Sequence, residues 1–417
     1  MPCEGAIQPE LCGLYVRNGP NPKGGDPGHW FAGAGMLHGV RLEYGKAVWF
    51  RNRWVRTRSF LEGAEFVDAN GNVDRSVGVG NTNIISHAGR LFALVESSWP
   101  TEMTSELGTI GPCDFGGRLT TGMTAHPKLD PATGDLHFFG YGFFPPYLTY
   151  HRLDTAGTLV QSEVIDVPGP TMIHDFAITA GHVIFMDLPI VFNFERAISR
   201  QGFPYEWSDD YGARLGVLPH GGRSADVRWF EIAPCYVVHP FNAFEEGERI
   251  VLDVARYEEL WRGGADTFTP AFLHRWTIDR AAGTVGEQRL DDRPIEFPRI
   301  DERRAGRRHR HGYAVSNAAD VTGQSLQLVK YDLATGAAVA HDFGAGRTPA
   351  EGVFVPAGVR AAEDEGYVLL YVHDAARHAS DLVILDATHF DAPPLATIHL
   401  PQRVPFGFHG NWFADPA

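Results

Sequence analysis

The chain has 417 residues and a mass of 45.9 kDa, which is enough for two or three ordinary domains or one large closed architecture. Hydrophobic residues make up 44% of it and charged residues 21%, so a sizeable core can form and wholesale disorder is excluded. The formal net charge of −15 opposes binding to nucleic-acid phosphates, and we expect no nucleic-acid partner.

The N-terminal residues show no basic segment followed by an apolar stretch, so no signal peptide is expected. The longest apolar run, from Val183 to Phe194, is interrupted by Asp187 and Pro189 and is too short to span a bilayer. Four cysteines show no paired spacing, and they are Cys3, Cys12, Cys113 and Cys235. This pattern is typical of reduced structural thiols, and we predict a cytoplasmic location.

Short β-rich stretches separated by turns dominate the chain, because 47 glycines and 28 prolines interrupt it every few residues. A turn in which Asp follows an apolar or aromatic residue recurs at Asp130, Asp154, Asp279, Asp332 and Asp386. Asp starts such turns because its side chain bonds the backbone two residues further on. The pattern predicts an all-β fold made of many hairpins.

The spacing of these turns suggests repeated units. The last three aspartates are 53 and 54 residues apart, which is close to the size of a propeller blade of four strands. At about 54–60 residues per blade, the chain would form roughly seven blades. The alternative, irregularly spaced hairpins in a large β protein, stays open on spacing alone. We see no linker, and we treat residues 1–417 as a single domain.

Four of the 19 histidines share a local character, since each follows an apolar or small residue and precedes Pro, Gly or Asp. They are His126, His174, His239 and His409, and the intervals between them are 48, 65 and 170 residues. In a propeller these intervals correspond to one, one and three blades, so the four side chains would converge on the axis. Imidazole suits Fe, Zn, Cu and Ni, although each could instead be a hydrogen-bonded core histidine.

Three glutamates stand in unusually apolar surroundings, and they are Glu96, Glu296 and Glu351. A buried Glu must be paired or protonated, and a metal-bound histidine needs its second ring nitrogen anchored, commonly by a carboxylate. The three could therefore support the histidines, or they could be strand-edge residues that face solvent. The basic stretch 303–311 is more typical of a solvated loop than of a binding site for an acidic partner.

Motifs in order along nearly the whole chain resemble the carotenoid cleavage oxygenase family. They lie at residues 14–22, 29–31, 35–38, 81–83, 124–127, 174–176, 296–299, 351–355 and 408–410. The resemblance implies a seven-bladed β-propeller with a cap of loops and short helices over the metal face. It also implies non-haem Fe(2+) held by His126, His174, His239 and His409, with Glu96, Glu296 and Glu351 as outer carboxylates of the catalytic centre.

The sequence departs from the family pattern at two places. Ala32 and Ala34 stand where the family usually has aspartates, which affects the stability of that turn rather than the metal. The segment before Arg17 is also short, and loss of an arm there could alter oligomerisation or membrane contact.

The family reaction is cleavage of an alkene by O2 into two carbonyl products. An apolar tunnel would choose the bond, and we expect Trp99, Phe143, Phe144, Tyr147 and Phe241 to line it, with Val79 near an open metal position. Stilbene-cleaving members carry a Lys and a Tyr that engage a phenol, and Val95 and Phe60 are expected at those places here.

An apolar pair cannot polarise a phenol, so we expect a carotenoid or apocarotenoid substrate, with a phenolic stilbene as the second candidate. A retinoid isomerase and an inactive propeller that only binds apolar ligands are further alternatives. Two apolar stretches, 143–148 and 188–192, could bring the tunnel mouth into a membrane leaflet, or they could line the tunnel. The oligomeric state stays open.

Overall fold

The computed structural model describes residues 1–24, 29–68, 70–199, 202–262, 264–265, 267–316 and 327–415. Strands of the first half are β1 Cys3–Gly5, β2 Gly13–Asn21, β3 Ala34–Glu43, β4 Lys46–Trp54, β5 Asn83–His87, β6 Arg90–Leu94, β7 Thr101–Met103, β8 Thr109–Pro112, β9 Lys128–Leu129, β10 Leu136–Tyr141, β11 Leu148–Leu153, β12 Leu159–Ile165, β13 Ala177–Ile178, β14 His182–Asp187, β15 Ile190–Phe192 and β16 Tyr205–Trp207.

Strands of the second half are β17 Arg214–Pro219, β18 Arg228–Glu231, β19 Tyr236–Glu246, β20 Arg249–Tyr257, β21 Ala271–Asp279, β22 Thr284–Ile300, β23 His311–Ser316, β24 Gln327–Asp332, β25 Ala337–Asp342, β26 Arg347–Pro349, β27 Val353–Pro356, β28 Gly366–Asp374, β29 Ala379–Asp386, β30 Ala396–His399 and β31 Gly410–Ala414. The α-helices of the described part are α1 Arg58–Glu62 and α2 Phe194–Ser199, and 3-10 turns lie at Trp30–Ala32, Ser224–Asp226 and Glu302–Arg304.

The strands form seven antiparallel blades. Blade 1 has the order β31-β2-β3-β4, blade 2 is β5 to β8, blade 3 is β9 to β12, and blade 4 has the order β13-β14-β17-β18. The long strand β22 belongs to two blades, since its first part pairs with β21 in blade 5 and its last part with β23 in blade 6. Blade 7 contains β26 to β30. The predicted seven-bladed propeller is therefore confirmed.

Both ends of the chain interlock with distant blades. The C-terminal strand β31 pairs with β2 from Gly13↔Ala414 to Arg17↔Gly410, and β1 pairs with β30 of blade 7. The first strands of neighbouring blades contact one another, as β31 does with β5 and β27. These pairings bring residues from both ends of the sequence to the centre.

Burial follows position within a blade. The central strand β28 is an almost continuous run of buried apolar residues, because neighbouring blades cover both of its faces. The outer strand β12 instead alternates between buried or half-buried and exposed positions, as expected where one face meets solvent.

The repeated Asp turns lie where the sequence suggests. Asp154, Asp279, Asp332 and Asp386 start the outermost hairpin of blades 3, 5, 6 and 7, and Asp130 starts an inner hairpin of blade 3. Gly157, three residues after Asp154, has φ 76°, the left-handed conformation that the turn requires. The intervals of 53 and 54 residues are therefore true blade repeats.

The turn that carries Ala32 and Ala34 is held by another residue. The Asn81 side-chain amide donates to the carbonyl oxygens of Phe31 and Gly33, at 2.7 Å each. Gly35 is indispensable here, because a Cβ at this position would lie 2.2 Å from the Gly80 carbonyl oxygen. Even without the aspartates that the family usually has here, the Asn81 side chain therefore ties the turn to blade 2.

The basic stretch 303–311 is less solvated than its composition suggests. Arg307 reaches 3.0 Å from Asp130 of blade 3, and Arg310 lies 2.6 Å from Asp332. Arg308 contacts Glu246 of blade 5. The expectation of a plain solvated loop is wrong in this respect, since the arginines tie blade 6 to acidic residues of its own and other blades.

Candidate active site

The four selected histidines meet at the centre of the propeller. His126, His174 and His239 come from the first strands of blades 3, 4 and 5 or the residues just before them, and His409 directly precedes β31 of blade 1. Their ligand atoms lie within 4.8 Å of one another. The spacing of one, one and three blades is confirmed.

The geometry of these rings fits one metal ion. The His174 Nε2 lies 3.1 Å from the His126 Nε2 and 3.2 Å from the His239 Nε2. Two nitrogens bound at right angles to one ion, at about 2.1 Å each, would lie about 3.0 Å apart. The residues present therefore fit a metal centre with imidazole donors.

A carboxylate stands behind three of the four rings. The His239 Nδ1 donates to Glu296 Oε2 at 2.6 Å, and the His409 Nδ1 donates to Glu351 Oε1 at 2.9 Å. The His174 Nδ1 contacts Glu96 Oε1. Because these contacts occupy Nδ1, they turn Nε2 of each ring towards the centre.

The three carboxylates have different partners of their own, and no sequence pattern identified those partners in advance. Tyr141 donates its phenol proton to Glu96, and Tyr257 donates to Glu296 Oε1 at 2.9 Å. Arg299 lies 3.1 Å from Glu351 Oε2. Each of the three carboxylates therefore contacts a second polar side chain, a phenol or a guanidinium, in addition to its histidine.

The fourth ring, His126, has a different support. Its Nδ1 is 3.8 Å from Asp175 Oδ2, which is too long for a hydrogen bond. The Asp175 carboxylate is fixed by Lys128, whose Nζ lies 2.7 Å from Oδ1. His126 therefore lacks the direct carboxylate contact that the other three histidines have.

Burial keeps the His126 and His409 rings neutral, whereas nearby carboxylates raise the pKa of His174. Burial, together with the neighbouring histidines, lowers the pKa of His126 well below its usual range. Burial also lowers the pKa of His409 to about 4 despite Glu351. For His174, burial favours the neutral ring, but the carboxylates of Glu96, Asp175 and Glu296 together raise the pKa. Neutral imidazole is the form that binds a metal.

The N-terminal strand fixes the segment that carries His409. The Arg17 guanidinium donates to the carbonyl oxygens of Gly407 and Phe408, at 2.7 and 3.1 Å. The Asn18 backbone amide donates to the His409 carbonyl oxygen at 2.9 Å. Residues 17 and 18, nearly 400 positions away in the chain, thus help to position this ring.

A cavity of about 1510 Å³ opens onto the histidines from one side. Of the predicted lining residues, Val79, Val95, Phe143 and Phe144 line it. His174, His239 and His409 line its inner wall. Thr82 also lines the cavity, and its carbonyl oxygen accepts from the His409 amide at 3.2 Å, which ties it to the metal-binding segment.

Four of the residues that we expected to line the cavity lie elsewhere in the structure. The Phe60 ring packs 5.1 Å from Trp54, with the Lys23 Nζ 4.4 Å from its centroid. Trp99 and Tyr147 pack against the cores of blades 2–3 and 3–4.

Phe241 is the fourth of these residues. It lies among the core residues of blades 5 and 6 and borders a separate chamber of about 300 Å³ beyond the histidines. Strand β19 is irregular between Val237 and Asn242, so simple alternation does not predict where the ring points.

Sequence reasoning missed several aromatic residues that line the cavity, among them Phe31, Phe203, Phe297 and Phe408. Phe297 stands out, because its backbone has φ 53° and its ring stacks 5.5 Å from that of His239. Its position between Glu296 and Pro298 was the only signal available in the sequence. Phe31 and Phe408 lie in the motifs at 29–31 and 408–410, but no pattern marked them or Phe203 as lining residues.

Comparisons with known proteins extend over the whole chain. Residues 1–414 match the family described as "Retinal pigment epithelial membrane protein". A "Carotenoid cleavage oxygenase" of Mycobacterium tuberculosis is 39% identical, covering 99% of this chain and 93% of that protein. A "Carotenoid 9,10(9',10')-cleavage dioxygenase" of Crocus sativus is 34% identical, covering 98% and 85%.

Solved structures give the same result. The lignostilbene dioxygenase of Pseudomonas brassicacearum superposes with a TM-score of 0.90 and 32% identity, covering 100% of this chain and 95% of that one. A variant of the Synechocystis apocarotenoid oxygenase gives 0.88 and 29%, with 100% and 95% covered. The chain is therefore an oxygenase that belongs to the carotenoid cleavage oxygenase family.

Proposed function

We propose that the protein is an Fe(2+)-dependent dioxygenase that cleaves one carbon–carbon double bond of a carotenoid or apocarotenoid. The alkene and O2 together supply all atoms and electrons of two carbonyl products, so no external reductant is needed. The observation that carries the proposal is the meeting of four histidines at the inner end of a large apolar cavity.

Iron is the metal that we propose for the four imidazoles of His126, His174, His239 and His409. When bound, it would supply the activation of O2, and imidazole is among the ligands that suit it. Glu96, Glu296 and Glu351 keep a proton on Nδ1 of their histidines and so leave the Nε2 lone pairs available. Their proposed role is positioning, because they contact the histidines and not the substrate.

The cavity walls determine which bond can react. Phe31, Phe297 and Phe408 line the same cavity as the histidines and would hold a polyene within it. The rings of Phe31 and Phe408 pack 5.5 Å apart, so the wall is itself rigidly packed. A fixed position of the alkene and the exclusion of water are the two contributions that such a wall makes to the reaction.

The polar groups of the lining favour an apolar substrate. Val95 lines the cavity, and no lysine is found among the described lining residues. Tyr141 and Tyr257 also line it, but their phenol protons are committed to Glu96 and Glu296. A substrate phenol would therefore meet no lysine, and neither of these two tyrosine protons is free to bind it.

A phenolic stilbene is the second candidate. It is favoured by the likeness to the lignostilbene dioxygenase, at a TM-score of 0.90 and 32% identity. We expected Val95 and Phe60 to form an apolar pair at the phenol site. Phe60, however, lies outside the cavity and packs against Trp54. The argument against a stilbene therefore depends on Val95 and on the committed phenols.

Contact of the cavity mouth with a membrane is a further part of the proposal. Several apolar cavity residues are also exposed, and we call four of them the apolar collar, namely Phe144 at 54%, Phe194 at 42%, Ile198 at 82% and Phe268 at 50%. Within 188–192, by contrast, Leu188 and Ile190 are buried in the core and Phe192 lines the cavity. A search of the described helices finds none with the length and apolar character needed to cross a bilayer.

A substrate panel tests this function. The iron-loaded protein is supplied with apocarotenals, a carotenoid and hydroxylated stilbenes, and aldehyde products are identified by mass spectrometry. We expect the highest kcat/KM with an apocarotenal. A higher value with a hydroxystilbene would replace the proposed substrate class, and no cleavage of any polyene or stilbene would contradict the proposed activity.

A further inference from the structure

A second group of side chains with metal-binding atoms lies far from the cavity. Asp130 follows β9, His137 belongs to β10, and His220 follows β17, so the group joins blades 3 and 4. Their ligand atoms lie within 4.8 Å of one another, the same limit that holds for the four central histidines. Because the β9–β10 turn and the cavity-lining β10–β11 loop lie at opposite ends of β10, the group is at the end of blade 3 away from the cavity.

The two imidazoles are arranged so that one nitrogen of each is available. The His137 Nδ1 lies 2.7 Å from the Tyr150 hydroxyl, which leaves Nε2 to face elsewhere. The His220 Nε2 is buried and has no hydrogen-bond partner among the described residues. The two ring centroids are only 4.6 Å apart. A buried polar atom without a partner is costly, and a bound ligand would remove that cost.

The carboxylate completes the set. The Ala132 amide and the Arg307 guanidinium contact Asp130 Oδ1 at 2.9 and 3.0 Å, and the Thr133 side chain also bonds this carboxylate. Asp130 and His137 are buried, and His220 is half-buried, so water competes little for these atoms. Burial lowers the pKa of His137 to about 3 and also lowers that of His220, so both rings are neutral at physiological pH.

We propose that Asp130, His137 and His220 form a second metal site, which takes a divalent transition-metal cation such as Zn2+. Two imidazoles and one carboxylate are a usual donor set for Zn2+, with a fourth position left to water. The Tyr150 hydroxyl would fix the orientation of His137, as outer partners of metal-bound histidines do. The bound ion would fasten blade 3 to blade 4, the two blades that carry His126 and His174.

A neighbouring histidine serves as a matched control. His182 is paired with the strand that ends before His220, but both of its ring nitrogens are occupied. Its Nδ1 lies 2.9 Å from Glu245 and its Nε2 lies 3.1 Å from Arg280. His182 therefore has no free nitrogen for a metal, although it lies on the same face of blade 4.

Metal analysis of the iron-loaded full-length protein tests the site. After dialysis against micromolar Zn2+, the wild type should keep its iron and gain roughly one Zn2+ per chain. His220→Gln and Asp130→Asn should keep the iron but bind Zn2+ at least about tenfold more weakly, whereas His182→Gln should bind it like the wild type. Absence of Zn2+ from the wild type, uptake only where iron is lost, or unchanged affinity in His220→Gln would each overturn the proposal.

A measurement on the wild type alone keeps the test independent of whether the variants fold. X-ray absorption at the zinc edge should report about two imidazoles together with oxygen donors. A spectrum with four imidazoles would place the zinc in the central site and refute a second one. Binding should also raise the melting temperature of the iron-loaded protein, because the ion binds only the folded chain. An unchanged melting temperature at saturating Zn2+ would contradict the proposal that the ion links blade 3 to blade 4.

Discussion

The His239 Nδ1 lies 2.6 Å from Glu296 Oε2, and this contact joins blade 5 to blade 6 at the centre of the propeller. The same carboxylate accepts from the Phe297 amide at 2.6 Å and from the Tyr257 hydroxyl at 2.9 Å. Three donors therefore hold the carboxylate, and the carboxylate holds the ring. The orientation of His239 is fixed by the protein itself.

The first prediction concerns this contact. Glu296→Gln should lower iron affinity or kcat/KM by about 10–100-fold, because the amide cannot accept from all three donors at once. Tyr257→Phe should have a smaller effect in the same direction. Iron content after dialysis against a chelator and steady-state rates measure both. Glu245→Gln, which removes a carboxylate that pairs with the remote His182, is the matched control and should resemble the wild type.

The second prediction concerns substrate choice. Val95→Lys introduces a donor into the cavity wall beside Glu96 and should shift relative kcat/KM from an apocarotenal towards a hydroxystilbene. A shift of about tenfold is expected from one new contact worth about 1.4 kcal/mol. Val67→Lys, at an exposed part of the same wall, is the control and should leave the preference unchanged. An unchanged preference in Val95→Lys would show that this position does not meet the substrate's aryl end.

The third prediction concerns the apolar collar. Replacing Phe194 and Ile198 by Asp should abolish flotation with liposomes, since two charges would oppose insertion of the collar into the lipid. Cleavage of a polyene dissolved in detergent should persist, because these residues are remote from the histidines. Val359→Asp is the control, since Val359 is 93% exposed and does not line the cavity. If the wild type itself fails to float, the proposed membrane contact is refuted.

The fourth prediction concerns acid stability. Burial lowers the pKa of His38 and of His151 to about 4, against 6.5 for an ordinary histidine. Between these values the unfolded chain takes up protons that the folded chain excludes, so the free energy of unfolding falls as the pH drops from 6.5 towards 4. Above this window the two groups have no effect on the pH dependence. Each should lower stability by about 2 kcal/mol between pH 7 and pH 5.

Urea unfolding of His151→Gln checks the fourth prediction. Gln can keep hydrogen bonds with Thr121 and Ser162, which contact the two nitrogens of His151 at 2.8 Å each. The variant should lose less stability than the wild type when the pH is lowered from about 7 to about 5. His389→Gln, on the surface, should lose as much as the wild type. An equal loss in His151→Gln would contradict the account.

The fold was largely predictable, because the turn that recurs from blade to blade is specified by a few neighbouring residues. Asp turns depend on a few neighbouring residues, and so Asp279, Asp332 and Asp386 reveal the blade length directly. The histidine intervals then add the order of the blades. The double role of β22 was not predictable, since nothing local marks where its partner changes from β21 to β23.

The cavity was less predictable, because it is built from residues that are distant in sequence. Val95 and Phe143 line the cavity, whereas Trp99 and Tyr147 have similar apolar surroundings in the sequence but pack into the blades. Tyr141 lies 45 residues after Glu96, and only the packing of adjacent blades brings the two together. Composition alone cannot distinguish an aromatic residue of a cavity wall from one of the core.

Iron content and cleavage products, measured on the same preparations, test the central claim most directly. Wild-type protein should hold about one iron per chain and convert a polyene and O2 into two aldehydes. Alanine at His126, His174, His239 or His409 should remove the iron and the products together, with the fold retained by circular dichroism, while His389→Ala keeps both. Full iron content or full cleavage in any of the four variants would contradict the proposed metal centre.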